Sequence, residues 1–269
     1  MKRLIVLLTV LVLLSGCVRE KDMGIEFTGA EDQGLEFGLL SALPAMQGLN
    51  QKTIVIVFTT GTLPGGTGSS HMSQISVSDG SDEGWSLGAH LGTDGKLWFS
   101  QQNITMLGIW NTNNVVLTAG VTTVIIITYD DTSVANDPNF YIDNGAAEAI
   151  TELSTPVGGA GSDLDGTFYL GAKSTDVNKS VEGVMHLYRV YNRIISAQER
   201  EIITNARGVN DGITEGLVFE VLGEGAATQQ IFDGQTLAAA DTIIDSVNGY
   251  IGVPAADPIG YADDYLHTR

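Results

Sequence analysis

A single cysteine, Cys17, stands in the whole chain, so no intramolecular disulfide can form. Proline is scarce, at 6 of 269 residues, and charged side chains make up only 17%. So low a charge does not suit a charged helical bundle. Basic residues are few as well, 13 against 32 acidic, for a formal net charge of −19. A surface of that sign repels phosphates and excludes nucleic acid as a partner. The apolar run Leu4–Leu14, interrupted only by Thr9, falls short of the roughly 20 residues a membrane-spanning helix needs. The four histidines, His71, His90, His186 and His267, are scattered without metalloprotease spacing.

What the chain does have is glycine, 33 residues of it, and many short apolar stretches. That combination describes short strands joined by tight turns, an all-β chain. The first residues form a separate unit. Lys2 and Arg3 precede the apolar run, and Leu14-Ser15-Gly16-Cys17 has the form of a bacterial lipobox, in which the cysteine thiol is acylated. The expectation is a signal peptide over 1–16, lipidation at Cys17, a tether over 17–23, and a lipid-anchored protein of the bacterial cell envelope or surface. Cleavage there removes two basic residues and no acidic one, leaving a charge of −21.

Strand signals then follow in order. Residues 24–29 and 34–37 alternate apolar and polar, and Thr53–Phe58 (TIVIVF) is wholly apolar apart from its first residue. Residues 61–70 are a loop by composition. His71–Val77 and Gly84–Leu91 are the next strands, with Asp79-Gly80 and Asp94-Gly95 where hairpin turns belong. Val121–Tyr129 (VTTVIIITY) carries the strongest β pattern. Trp85 and Trp98 are expected as core or sheet-face aromatics. Trp110 differs: it sits in a loop-like stretch with Asn111, Asn113 and Asn114. An indole that can stack on a pyranose, beside amides that can bind hydroxyls, is a candidate sugar site.

Residues 165–206 carry the most specific pattern. Tyr169-Leu170-Gly171 closes one strand, Val181–Tyr191 forms a long second one, and Ser196-Ala197-Gln198-Glu199 has capping-box form ahead of a short helix. With Gly183, Arg189, Tyr191-Asn192-Arg193, Ser196 and Glu199 in register, this stretch resembles the closing strands of the laminin-G-like, concanavalin-A-like jelly rolls. Tyr129-Asp130 and the Asn139–Gly145 hairpin resemble further strands of the same family. Two acids of the family pattern are replaced by His186 and Leu187. The resemblance implies a jelly-roll β-sandwich of two antiparallel sheets with one short helix near 196–206, as a single domain over 24–269.

The last sixty residues depart from that order. Glu215–Gly225 and Ile243–Gly252 resemble the segment that usually precedes this domain, yet here they come last. Residues 209–269 are therefore expected either to complete the sandwich by pairing near 24–37 or to form a small C-terminal extension. Asp245 and Asn248 flank a turn ending at Gly249, a geometry that can offer oxygens to Ca²⁺ or simply close an Asx turn.

The fold also hosts glycoside hydrolases. Retaining hydrolysis needs two carboxyl groups about 5–5.5 Å apart, and the Glu-x-Asp-x-x-Glu pattern of laminarinase-like members is missing here. Glu215/Glu220/Glu224 and Asp163/Asp165 are out of step with it. The expected function is non-catalytic binding of a glycan or a surface protein, in a site on the concave sheet or its rim that includes Trp110. A structural decoration domain of a virion or surface layer, and a polysaccharide-cleaving enzyme of the same fold, stay open as alternatives.

Overall fold

The structure is a computed structural model, and it describes residues 22–28, 34–61, 68–76, 82–91, 95–103, 105–158, 166–171, 181–223, 236–237, 242–254 and 259–264. Cys17, the Asp79-Gly80 turn, Asp94, the Asp163/Asp165 pair, Glu224 and His267 lie outside those residues.

Two antiparallel sheets form a β-sandwich. The eight-stranded sheet contains β1 (Asp22–Thr28), β3 (Gln51–Thr60), β8 (Thr122–Asp130), β9 (Asn139–Ile142), β12 (Glu182–Tyr191), β13 (Leu217–Leu222), β14 (Thr236–Leu237) and β17 (Ile259–Asp264). Its order is β14-β17-β1-β12-β3-β8-β9, with β13 beside the C-terminal half of β12. The nine-stranded sheet contains β2 (Leu35–Leu39), β4 (Gly68–Ser76), β5 (Asp82–Leu91), β6 (Leu97–Gln101), β7 (Gly108–Thr112), β10 (Ile150–Ser154), β11 (Thr167–Leu170), β15 (Ile243–Ile244) and β16 (Ile251–Pro254). Its order is β10-β7-β6-β5-β4-β11-β2-β16-β15. β1 begins at Asp22, inside the stretch expected as a tether, and the loop expected over 61–70 gives its last three residues to β4.

The continuous apolar runs of β3 and β8 follow from burial on both faces. Ile54, Ile56, Phe58, Ile125 and Ile127 point between the sheets, into the main core. Val55, Val57, Val124 and Ile126 point the other way, against Ile195 and Ile203 at the helix α1 (Ala197–Ala206). A strand covered twice has no polar face to show, so alternation vanishes. On α1 only Ile203 is buried, while Ile202 is 36% exposed, so the two isoleucines do not share a face.

The helix begins where its sequence says. Ser196 accepts from the Glu199 amide and Glu199 reaches back to the Ser196 amide, a complete capping box. Glu199 also takes both terminal nitrogens of Arg193, at 3.0 and 2.6 Å. That guanidinium contact, aided by the Ser196 backbone, lowers the Glu199 pKa to about 2. A depressed carboxylate contributes stability that is fully present above its unfolded value and is lost as pH falls through the folded one. With 22% of the side chain exposed, solvent screening leaves about a third of the unscreened linkage, ~1 kcal/mol. Glu199→Gln is expected to lower stability by about that amount at pH 7 and by nothing measurable near pH 2. Denaturant unfolding between those limits reads the difference.

β12 carries a bulge between Met185 and Leu187. Met185, Tyr188 and Val190 face the main core, and Leu187 and Tyr191 face the helix side. The extra residue, His186, puts Tyr188 on the opposite face from the one simple alternation gives it. Just before the bulge, Gly183 has φ 145°, and a Cβ there would sit 2.2 Å from the Thr59 carbonyl oxygen. No other residue fits that approach.

The C-terminal block enters both sheets. β16 pairs with β2, β17 pairs with β1, and β13 pairs with β12. Phe219 on β13 stands edge-on to Phe37 and Phe168, with ring centroids 5.0 and 5.1 Å away.

Candidate functional site

Trp110 is not in a loop. It lies in β7, fully buried, between Phe99 and Tyr129 at 6.2 and 5.4 Å, and its indole N–H donates to Asp137 Oδ1 at 2.8 Å. The expectation of an exposed platform is corrected: no sugar can stack on a ring enclosed in the core. Trp85 is enclosed as well. Beside it lies a group the sequence did not flag. Lys52, 2% exposed, donates to Gln101 Oε1 at 2.7 Å and stands over the rings of Tyr129 and Trp85. A buried ammonium is tolerated there because a carbonyl oxygen and two π faces replace its water.

The third tryptophan faces outward from the sandwich. In β6, Leu97 and Phe99 point into the core, so Trp98 and Ser100 occupy the outer face of the nine-stranded sheet. Residues directly opposite in antiparallel strands share a face. The register His71↔Gly88, Gly88↔Trp98, Trp98↔Asn111 and Asn111↔Thr151 therefore defines one row across β4, β5, β6, β7 and β10. A second row includes Tyr169, Ser86 and Ser100, linked through Gln74 of β4.

Gly88 makes the row possible. A Cβ there would lie 2.7 Å from Trp98 Nε1, so only glycine leaves room for the indole against the sheet. His71 meets the Trp98 ring edge-on at 5.0 Å and exchanges a 3.0 Å hydrogen bond between its Nδ1 and Ser86 Oγ. The indole N–H of Trp98 and the hydroxyl of Ser100 are buried and have no hydrogen-bond partner among the described residues. Burial grades along the row. His71 and Trp98 are buried, Asn111 is half-buried, and Thr151 on the edge strand β10 is exposed. Asn113 and Asn114 are exposed at the end of β7, where Asn113 Oδ1 accepts from Thr151 Oγ1 at 2.7 Å and Asn114 donates to Glu148 at 3.4 Å. Of the three asparagines, Asn111 stands directly across from a tryptophan, and that tryptophan is Trp98.

The calcium expectation loses its ligands. Asp245, 1% exposed, accepts from the amides of Glu220 and Asn248, both at 2.7 Å, and of Val247 at 3.3 Å. Asn248 donates its side-chain amide to the Val218 carbonyl at 2.6 Å. Both oxygens of the carboxylate serve backbone donors, which makes this the Asx turn. Among the described residues, no group of three His, Cys, Asp or Glu side chains is placed to hold a metal ion.

The outer face of the eight-stranded sheet holds the other polar cluster. Arg189, buried on β12, bonds to Glu220 through Nε, to Asp211 through Nη1 and to the Gly208 carbonyl through Nη2 at 2.9 Å. Glu220, read in sequence as part of an acid cluster, is thereby an ion-pair partner 8% exposed. His186 meets Thr59 Oγ1 at 2.8 Å.

No protein-family model matches this chain, and no curated protein matches it in sequence. Its fold is shared with solved structures. One is a Bacteroides ovatus protein assigned as carbohydrate-binding, at TM-score 0.58 and 14% identity, with 90% of this chain aligned to 60% of that one. This chain thus spans less than two thirds of the length of that protein. The heptameric SAP-like pentraxin of Limulus polyphemus gives TM-score 0.54 at 14% identity, over 88% of this chain and 98% of its own. The CBM40 of the Ruminococcus gnavus IT-sialidase, bound to α2,3 sialyllactose, gives 0.50 at 17% identity, over 67% and 95%. At such identities the likeness establishes architecture: among the described residues, the chain folds as a jelly-roll β-sandwich of two antiparallel sheets with one short α-helix.

Proposed function

We propose that this chain is a non-catalytic glycan-binding domain whose site lies on the outer face of the nine-stranded sheet, around Trp98, Asn111, Thr151 and Asn113. The observation that carries the reading is the cross-strand row itself. It sets an indole behind neutral amides and a hydroxyl, and it opens at the edge strand. Neutral groups that both donate and accept suit sugar hydroxyls in competition with water, whereas fixed charges would be costly to desolvate. The carbohydrate-binding assignments of fold relatives support the same reading.

In this reading Trp98 forms the floor behind the site, because a ring 7% exposed, with its N–H turned in over Gly88, has no free face for stacking. A few neutral hydrogen bonds at about 1 kcal/mol each give single-site affinities in roughly the millimolar to high-micromolar range. Acylation of Cys17 would array many copies on a bacterial surface, and avidity would raise the effective affinity. The partner is then a neutral surface or environmental glycan.

A glycan-array screen followed by titration tests this. Thr151→Val and Asn113→Ala alter exposed side chains, so both are expected to leave the melting temperature unchanged. Each is expected to weaken the selected glycan about fivefold, one lost hydrogen bond. Wild-type affinity in both variants would place the site elsewhere.

A further inference from the structure

A cavity of about 460 Å³ opens on the other side of the sandwich, between β12, β13 and the segment after α1. That size falls within the usual span of small-molecule sites, about 300–1,000 Å³. Its walls are apolar, formed by Val57, Leu187, Leu217 and Leu222. Its lip is the stretch from Arg207 to Gly212, bent by four left-handed residues: Arg207, Gly208, Asn210 and Gly212, at φ 48°, 76°, 51° and 74°.

Two guanidinium groups reach this cavity, and they differ. Arg189 is committed to Glu220, Asp211 and the Gly208 carbonyl. The carboxylates are committed too. Asp211 also accepts from the Ile213 amide at 2.9 Å, and Glu220 accepts from Ser246 Oγ at 2.5 Å. Arg207 makes no ion pair with them, and its Nη1 is buried with no hydrogen-bond partner among the described residues. A shielded guanidinium nitrogen left unbonded is costly, and an anionic acceptor relieves that cost best. Two arginines against two carboxylates leave the lining formally neutral apart from His186, so one added negative charge is matched more readily than two.

We infer that this cavity binds a monocarboxylate: the carboxylate meets Arg207 at the lip, and an apolar body lies against the leucine and valine walls. The site is separate from the sheet face proposed for glycan, on the opposite surface, so either can fail without the other.

Titration of the whole protein with hexanoate and benzoate, against hexanamide and benzamide as neutral counterparts, tests the inference. Both acids are expected to bind with Kd near or below about 1 mM, at least tenfold tighter than their amides. Arg207→Asn accepts the left-handed backbone, so it is expected to keep the wild-type melting temperature and lose the preference for acid over amide. Arg207→Lys, which keeps the charge without the planar fork, is expected to retain part of that preference. Equal binding of acids and amides, or an acid preference undiminished in a folded Arg207→Asn, would overturn the assignment. So would glucuronate binding as tightly as hexanoate, which would remove the apolar body, or the absence of any binding at about 20 mM acid.

Discussion

Ending the chain after Asn210 is expected to abolish cooperative folding. The cut removes β13, β16 and β17, and with them the partners of β12, β2 and β1. Phe219, Val218 and Val221 leave the main core, and Phe37 and Phe168 lose the ring they pack against. Losing one buried Phe side chain alone costs about 3–5 kcal/mol, against a total stability of about 5–15 kcal/mol for a domain. Arg189 would in addition be left without Glu220 and Asp211, an uncompensated buried charge worth about another 3–5 kcal/mol. The newly exposed edges of β1 and β2 invite intermolecular pairing, so the product is expected in the insoluble fraction. Circular dichroism melting checks the outcome. A truncated protein that melts cooperatively at the full-length temperature would show the C-terminal block to be an appendage.

The second large effect is Trp110→Ala, expected to destabilise by about 3–5 kcal/mol. The indole is fully buried, touches Phe99 and Tyr129, and holds Asp137 through its N–H. Removing it leaves a cavity, and Gly108, whose backbone lies against the ring, offers no side chain to fill it. Urea unfolding measures the loss, and glycan affinity per folded molecule is expected to stay at the wild-type value. A Trp110→Ala protein of near-normal stability would contradict its place in the core.

The contrast between Trp98 and Trp110 shows where the sequence was legible and where it stopped. The strands themselves were plain, because the runs in β3 and β8 are long and rich in β-branched residues. The start of α1 was plain too, since a capping box is local chemistry. Which side of a strand a residue takes is a different matter. β6 begins Leu97-Trp98-Phe99 and β7 contains Ile109-Trp110, so adjacent apolar residues erase the alternation that assigns faces. One step of register decides between a core tryptophan and a surface one, and only the pairing with β5 and β10 fixes that step. The bulge at His186 shifts the faces of β12 in the same hidden way.

Long-range polar partners were equally out of reach. Arg189 and Glu220 are 31 residues apart, and nothing local marks them as a pair. Asp245 looked like an open carboxylate because its donors include the Glu220 amide, 25 residues upstream. The asparagines were read in sequence beside Trp110, which lies in the core. The tryptophan directly across from Asn111 is Trp98.

Indole N–H resonances offer the most direct test of the glycan reading, because the chain contains three tryptophans and gives one signal from each. Two-dimensional ¹H–¹⁵N spectra should be recorded while the glycan selected on the array is added. The Trp98 signal is expected to move with saturation, as bound glycan changes the surroundings of the ring, together with the side-chain amides of Asn111 and Asn113. The Trp85 and Trp110 signals should stay in place. A titration that shifts Trp110 and leaves Trp98 unmoved would contradict the account.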